Sequence, residues 1–307
     1  MAANRTAPDS VSSRREWTCP DPTPLEDAEM MLATMSLLQY GFMRRALVAA
    51  LLIGLAAPAV GIFLVQRRLA LIGDGLGHIA VTGVALGLVM NRSPVPIALI
   101  TAVAGAVIVE LIRARGEQSA EIALAILFYG GIGAGVVLVS RAPSGSRSLN
   151  QYLFGSITTT SGSDLGTFAI LAAVVLVTAT GLGSALFSVS NDDEFAKASG
   201  LPVMRLNLLL AALSAFTVVV SMRVVGVLLV SALMVVPVAA AQLIARSFKA
   251  TFCIGIGIGV LVSVTGVVIS FYANTPSGGT IVLLAIGIFA VLLGAAGVGR
   301  LFTLRRQ

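Results

Sequence analysis

The chain has 307 residues, of which 57% are hydrophobic and 11% charged, with a formal net charge of +6 and a mean hydropathy of +0.98. A water-soluble domain carries about 25% charged residues, so a polar shell around a single core is excluded and a chain crossing a membrane many times is expected. The positive excess is mostly arginine at the ends of apolar runs, the pattern of topology anchors. Nucleic acid, which needs a clustered basic face, is excluded as a partner.

Residues 1–29 are polar, contain proline and mixed charges, and have no hydrophobic leader. Together with the ten residues that follow, they are expected to form a disordered tail, 1–39. A transmembrane domain is expected over 40–300 and a short cytoplasmic tail over 301–307. Nine apolar runs of about 20 residues fill the domain, near 45–65, 74–90, 95–112, 119–140, 166–189, 203–222, 224–245, 250–272 and 279–298. An all-α bundle of eight to nine transmembrane helices is expected. Glycine pairs spaced by four (83/87, 131/135, 255/259) mark close helix packing, which in lipid depends on small residues. Pro237 is expected to kink the seventh run by removing one backbone bond.

Alternating these runs places Arg67, Arg68, Arg113, Arg115, Lys197, Arg205, Arg246, Lys249, Arg305 and Arg306 on one side, which the positive-inside rule makes cytoplasmic. Nine crossings then start α-helical traffic from the outside, although Arg44 and Arg45 precede the first run and argue the other way. Cys19 and Cys253 stand far apart in unlike settings. Cys253 is expected to be a small buried hydrophobe, with no disulfide framework or cysteine zinc site.

Several chemistries are missing. The two lysines, Lys197 and Lys249, do not follow a glycine, so no phosphate-binding loop of the G-x-x-x-x-G-K type is present. A single histidine excludes His-rich metal motifs, and no CxxC pair or nucleophile–base set is evident. No catalytic residue is assigned. That histidine, His78, stands in the stretch RRLALIGDGLGH (67–78), four residues after Asp74. Residues at i and i+4 share a helix face, so Asp74 and His78 point the same way. A carboxylate and an imidazole suit Zn²⁺ or Mn²⁺, and ionisable groups within spans usually face a cavity or the bundle interior. A structural reading fits as well: Asp74 as a helix N-cap and His78 bonded to a neighbouring helix. Arg67 and Arg68 are expected to snorkel to the interface, and Glu110 and Glu121 to lie at it. Glu121 is also a minor candidate for a permeation path.

Further on, NDDEFAKASGLPVMRLN (191–207) is polar and lies between spans. Asn191 or Asp192 can cap a short helix with acids in its first turn, and Gly200 and Pro202 end it. It reads either as a docking helix or as a solvated connector. The stretch 148–164, SLNQYLFGSITTTSGSD, reads either as a re-entrant element or as an ordinary external loop.

Four segments, taken in order, resemble the ABC-3 family of membrane permeases, the channel subunits of bacterial zinc and manganese ABC importers. They are RRLA (67–70) leading into GDGLGH (73–78), YLFGSI (152–157), DDEFAKASGLPV (192–203) and VGVLLVSALMVVPVAAAQL (225–243). The resemblance spans about residues 40–298. It implies a type II importer permease fold in a bacterial cell membrane, with lipid around it, and a second permease protomer. It also implies two ATP-binding subunits on the cytoplasmic face, where ATP is hydrolysed, and an extracytoplasmic metal-binding protein. Under it, Asp74 and His78 handle the transported Zn²⁺ or Mn²⁺, with no cofactor held permanently. Asp193, Glu194, Phe195, Ala196, Lys197, Ala198, Ser199 and Gly200 contact the ATPase. Two other transporters compete: a siderophore or cobalamin permease, which would lack the Asp–His pair, and a proton- or ion-coupled secondary carrier, which would use the pair as a proton relay.

Overall fold

The computed structural model describes residues 40–141, 152–155 and 162–304, apart from the side chains of 117–121, 163 and 296–304. Among these residues the chain is all-helical. The helices are α1 (Gly41–Gln66), α2 (Ile72–Val89), α3 (Pro94–Arg113), α4 (Glu117–Val139), α5 (Gly162–Gly181), α6 (Gly183–Asn191), α7 (Asp193–Ala198), α8 (Val203–Ser221), α9 (Val227–Ile244), α10 (Phe248–Ala273) and α11 (Ser277–Leu304). Nine of them, all but α6 and α7, are long and apolar enough to cross a membrane. The tail 1–39, Glu121's side chain and most of 148–164 lie outside the description.

The fifth apolar run is not one helix. It breaks at Leu182, between Gly181 and Gly183, into the span α5 and the short α6. Glycine on both sides of the break lowers helix propensity there. Apolar content alone does not reveal this, because both pieces are apolar. Pro237 is carried inside α9 and buried.

The most buried span is α1, which packs against α10, α9, α5 and α8. Small residues make this possible. A Cβ on Gly54 would stand 2.9 Å from the carbonyl oxygen of Gly259 in α10, and Gly61 leaves no room for one against the Met234 backbone of α9. The glycine pairs seen in the sequence are such contacts. Gly83 and Gly87 meet α3 at Ala98 and Pro94, Gly131 and Gly135 meet α2, and Gly255 meets Val238 while Gly259 meets Pro58. Cys253 departs from expectation. It is exposed on the protein surface, outside the buried stripe of α10 that includes Thr251, Gly255 and Gly259.

The helix ends sort into two sets. At one end, which carries most of the basic loop residues, Arg67, Glu110, Arg113 and Asp193 meet. Phe248 packs there on Phe63 (centroids 5.8 Å) and Phe187 (4.7 Å). At the opposite end the segment 222–226 is the hub. Arg223 pairs with Asp164, and Ser277 Oγ donates to the Val224 carbonyl at 2.9 Å. Gly155 (φ +74°) and Gly226 (φ +88°) close on each other so tightly that no side chain fits at either. Phe42, at the start of α1, touches Phe271, near the end of α10 (centroids 6.2 Å). The first span therefore begins at this opposite end, as nine crossings require, despite Arg44 and Arg45.

Candidate metal path and docking helix

The turn from α1 to α2 aims the candidate residues. Leu69 N donates to Leu64 O (2.9 Å) and Arg68 N to Val65 O (3.1 Å), the two bonds of a Schellman helix end. Arg68 takes the left-handed position (φ +57°), where a non-glycine residue costs about 1 kcal/mol. This turn separates the arginine pair. Arg68 is exposed, while the Arg67 side chain is only 4% exposed and does not snorkel as expected. Glu110 is likewise buried rather than interfacial, at 2% exposure. Its partners are two arginines.

Helix α2 then carries Asp74 in its first turn and His78 one turn later, both half-buried. At about 1.5 Å rise per residue, the pair lies in the first half of α2, toward the Arg67 end. Asp74 does not cap the helix: Leu71 occupies that position and makes no side-chain cap. Instead Asp74 Oδ1 accepts a hydrogen bond from Ser231 Oγ of α9 at 2.5 Å. Gly73 and Gly77 let α9 approach, since their Cβ positions lie 3.1 Å from Ser231 Cβ and 3.3 Å from the Val227 carbonyl.

On the other flank stands α4. His78 meets the Phe128 ring edge to face, with centroids 4.4 Å apart. Thr82 Oγ1 donates to the Gly131 carbonyl at 2.7 Å. A Cβ on Gly131 would come within 2.8 Å of the His78 carbonyl carbon. The Asp74–His78 stripe thus has a hydroxyl on one side and an aromatic ring on the other. Among the described residues, no three His, Cys, Asp or Glu side chains group closely enough to hold a metal. Among the described residues, Asp74 and His78 thus present one carboxylate and one imidazole on a single helix face, fewer groups than a closed four-ligand site uses.

Ser231 lies within the apolar segment 225–243 but was not singled out from the sequence. A serine in a span ordinarily bonds its own helix, as Ser214 does to Leu210 O at 2.8 Å.

The segment 191–200 forms a capped helix. Asp192 is the N-cap, its Oδ1 accepting from Glu194 N and Phe195 N, each at 2.9 Å. Gly200 (φ +78°) follows its end. Glu194, Phe195, Lys197, Ala198, Ser199 and Gly200 are exposed, and Phe195 is 64% exposed. Ala196 is buried, and Asp193 turns inward to Arg67 and Arg113. Ala196 thus faces the bundle, while the Asp193 side chain reaches the two arginines and stays 36% exposed.

Residues 39–295 match the model of the ABC 3 transport family. The manganese transport system membrane protein MntC of Listeria monocytogenes is 29% identical over 279 residues, covering 90% of this chain and 99% of the relative. The manganese import system permease protein ScaB of Streptococcus gordonii is 30% identical over 252 residues, covering 82% and 90%. Among solved structures, PsaBC from Streptococcus pneumoniae in complex with Fab matches with a TM-score of 0.77 and 29% identity, covering 86% of this chain and 95% of that one.

Proposed function

The chain belongs to the ABC 3 transport family and is a multi-pass membrane permease of an ABC metal importer, and from that premise we propose that it conducts Mn²⁺ past Asp74 and His78 in a bacterial cell membrane. The observation that carries the reading is the Asp74–Ser231 bond, which holds a carboxylate in place on the same helix face as the only histidine. Carboxylate and hydroxyl oxygens suit Mn²⁺, and the imidazole also admits Zn²⁺. The relatives' names point to manganese.

The ion reaches the pair from an extracytoplasmic metal-binding protein. Asp74 and His78 replace part of its hydration shell, and the same pair from a second protomer completes the contact. An incomplete shell suits conduction, because an ion bound in a closed cage does not leave. Gly73 and Gly77 support this reading by letting α9 come close enough to bring Ser231 to the carboxylate. Glu194, Phe195, Lys197, Ala198, Ser199 and Gly200 dock a separate ATP-binding subunit at the cytoplasmic end, with the exposed Phe195 ring as the anchor.

The test is metal uptake by the permease reconstituted with its ATPase and metal-binding protein, with Mn²⁺ and Zn²⁺ in competition. Asp74→Asn and His78→Ala should assemble and lose uptake of the ion. Uptake at the wild-type rate in both variants overturns the assignment of the path. Preferred uptake of Zn²⁺ overturns the choice of manganese.

A further inference from the structure

One group of buried charges among the described residues has no part in the metal path. Arg67, in the α1–α2 turn, and Glu110, near the end of α3, are almost sealed, with side chains 4% and 3% exposed. Arg67 Nη2 lies 3.9 Å from Glu110 Oε1 and 3.5 Å from Asp193 Oδ2. Arg113, also at the end of α3, reaches Glu110 Oε2 at 3.6 Å and Asp193 Oδ2 at 3.4 Å. Two guanidinium groups and two carboxylates therefore alternate around one junction, and their charges cancel. Burial, and then the charge of Arg113, pull the Arg67 pKa below the usual arginine value, while Glu110 and Asp193 oppose this.

Stability does not account for such a group. Desolvation of buried ions offsets most of their attraction, although losing one member leaves an uncompensated buried charge. The contacts are also long beside the roughly 2.7–2.9 Å of tight charge-assisted bonds. Arg67 Nη2, Arg113 Nη1 and Asp193 Oδ1 make no hydrogen bond. These are charge contacts that can re-pair as the elements shift, without breaking a locked geometry. What the group does is join three pieces of chain: the turn that opens the metal helix, the end of α3, and the first residue of α7.

We propose that Arg67, Glu110, Arg113 and Asp193 form a tether that passes displacement of the docking helix α7 to the metal helix α2. The inference rests on α7 being the place where the ATPase docks. A shift of α7 carries the Asp193 carboxylate with it. Arg67 and Arg113 are drawn after that charge, and Arg67 precedes Asp74 by seven residues of continuous chain. Arg67, Glu110 and Arg113 are positioning residues: they touch neither the ion nor the ATPase.

The experiment measures Mn²⁺ imported per ATP hydrolysed by the full reconstituted complex. Arg67→Gln and Arg113→Gln complexes should bind the ATPase and hydrolyse ATP, while ions per ATP fall at least about five-fold. Arg113→Lys, which keeps the charge, should restore most of the ratio. The Arg67→Met/Glu110→Met double variant removes one cation and one anion together and leaves no orphan charge, and it should uncouple in the same way. A wild-type ratio in the glutamine variants, or in the double variant where those do not fold, overturns the tether. A parallel Phe195→Ala variant separates the two readings. If it keeps the ATPase bound, the docking assignment falls and the tether with it. If it releases the ATPase while the glutamine variants couple normally, the tether alone falls.

Discussion

Ser231 holds Asp74 where a carboxylate would otherwise rotate freely, since its hydroxyl donates to Oδ1. On the proposed path this makes Ser231 outer support for a metal ligand, and losing such support typically costs about 10–100-fold in metal affinity. Ser231→Ala should therefore raise the Mn²⁺ concentration for half-maximal uptake at least about ten-fold, and Ser231→Thr should largely preserve it. Concentration-dependent uptake by the reconstituted complex reads both. Asp74 and His78 were legible in the sequence because ionisable groups stand out in an apolar run. Ser231 was not: its partner is 157 positions away, and nothing local distinguishes it from Ser214, which bonds its own helix. Arg67 and Glu110 were placed at the interface for a similar reason. A charge near a span end defaults to water unless a partner waits inside, and here Arg67 finds Glu110 and Asp193, both from remote segments.

At the scale of elements, the seam between α2 and α4 is set by glycine. Gly131 and Gly135 face α2, with Thr82 bonded across to the Gly131 carbonyl. Gly133 and Gly130 of the same helix face open space. Gly131→Ala should push α4 away from the His78 backbone and cost roughly 1–3 kcal/mol by overpacking, seen as a lowered thermal midpoint of the purified protein. Gly133→Ala should leave that midpoint unchanged or raised. Equal effects of the two would show that the seam does not depend on close backbone approach. The glycine spacing and all nine span positions were readable, the fifth with its end run on, because both follow from hydropathy and small-residue periodicity. The break at Leu182 was not, since hydropathy continues through it. The capped docking helix was readable as one of two alternatives. Its inward-facing side, Asp193 and Ala196, needed the bundle to be seen.

For the whole molecule, the sorting of loops into two ends turns an inference from charge into geometry. Arg67, Arg113 and Asp193 join three basic connections at one end, and at the other Gly155 and Ser277 meet the 222–226 segment around Val224. Orientation in the membrane is then a single choice, and the positive-inside rule makes the basic end cytoplasmic. In a Cys19→Ser/Cys253→Ala background, single cysteines at Ser93 and Asn274 should react with a membrane-impermeant maleimide on intact cells. A cysteine at Ser199 should react only after permeabilisation. The reverse pattern would invert the molecule.

The nine candidate spans among the described residues are an odd count, and the sequence shows no strong internal repeat. Many carriers are built from two related halves within one polypeptide, which give them a pseudo-two-fold axis. Nine spans do not split into two equal halves, so a plain duplication of one half does not account for the nine described here. If a second copy of the chain shares the proposed passage, a substitution made once in the gene appears on both of its walls.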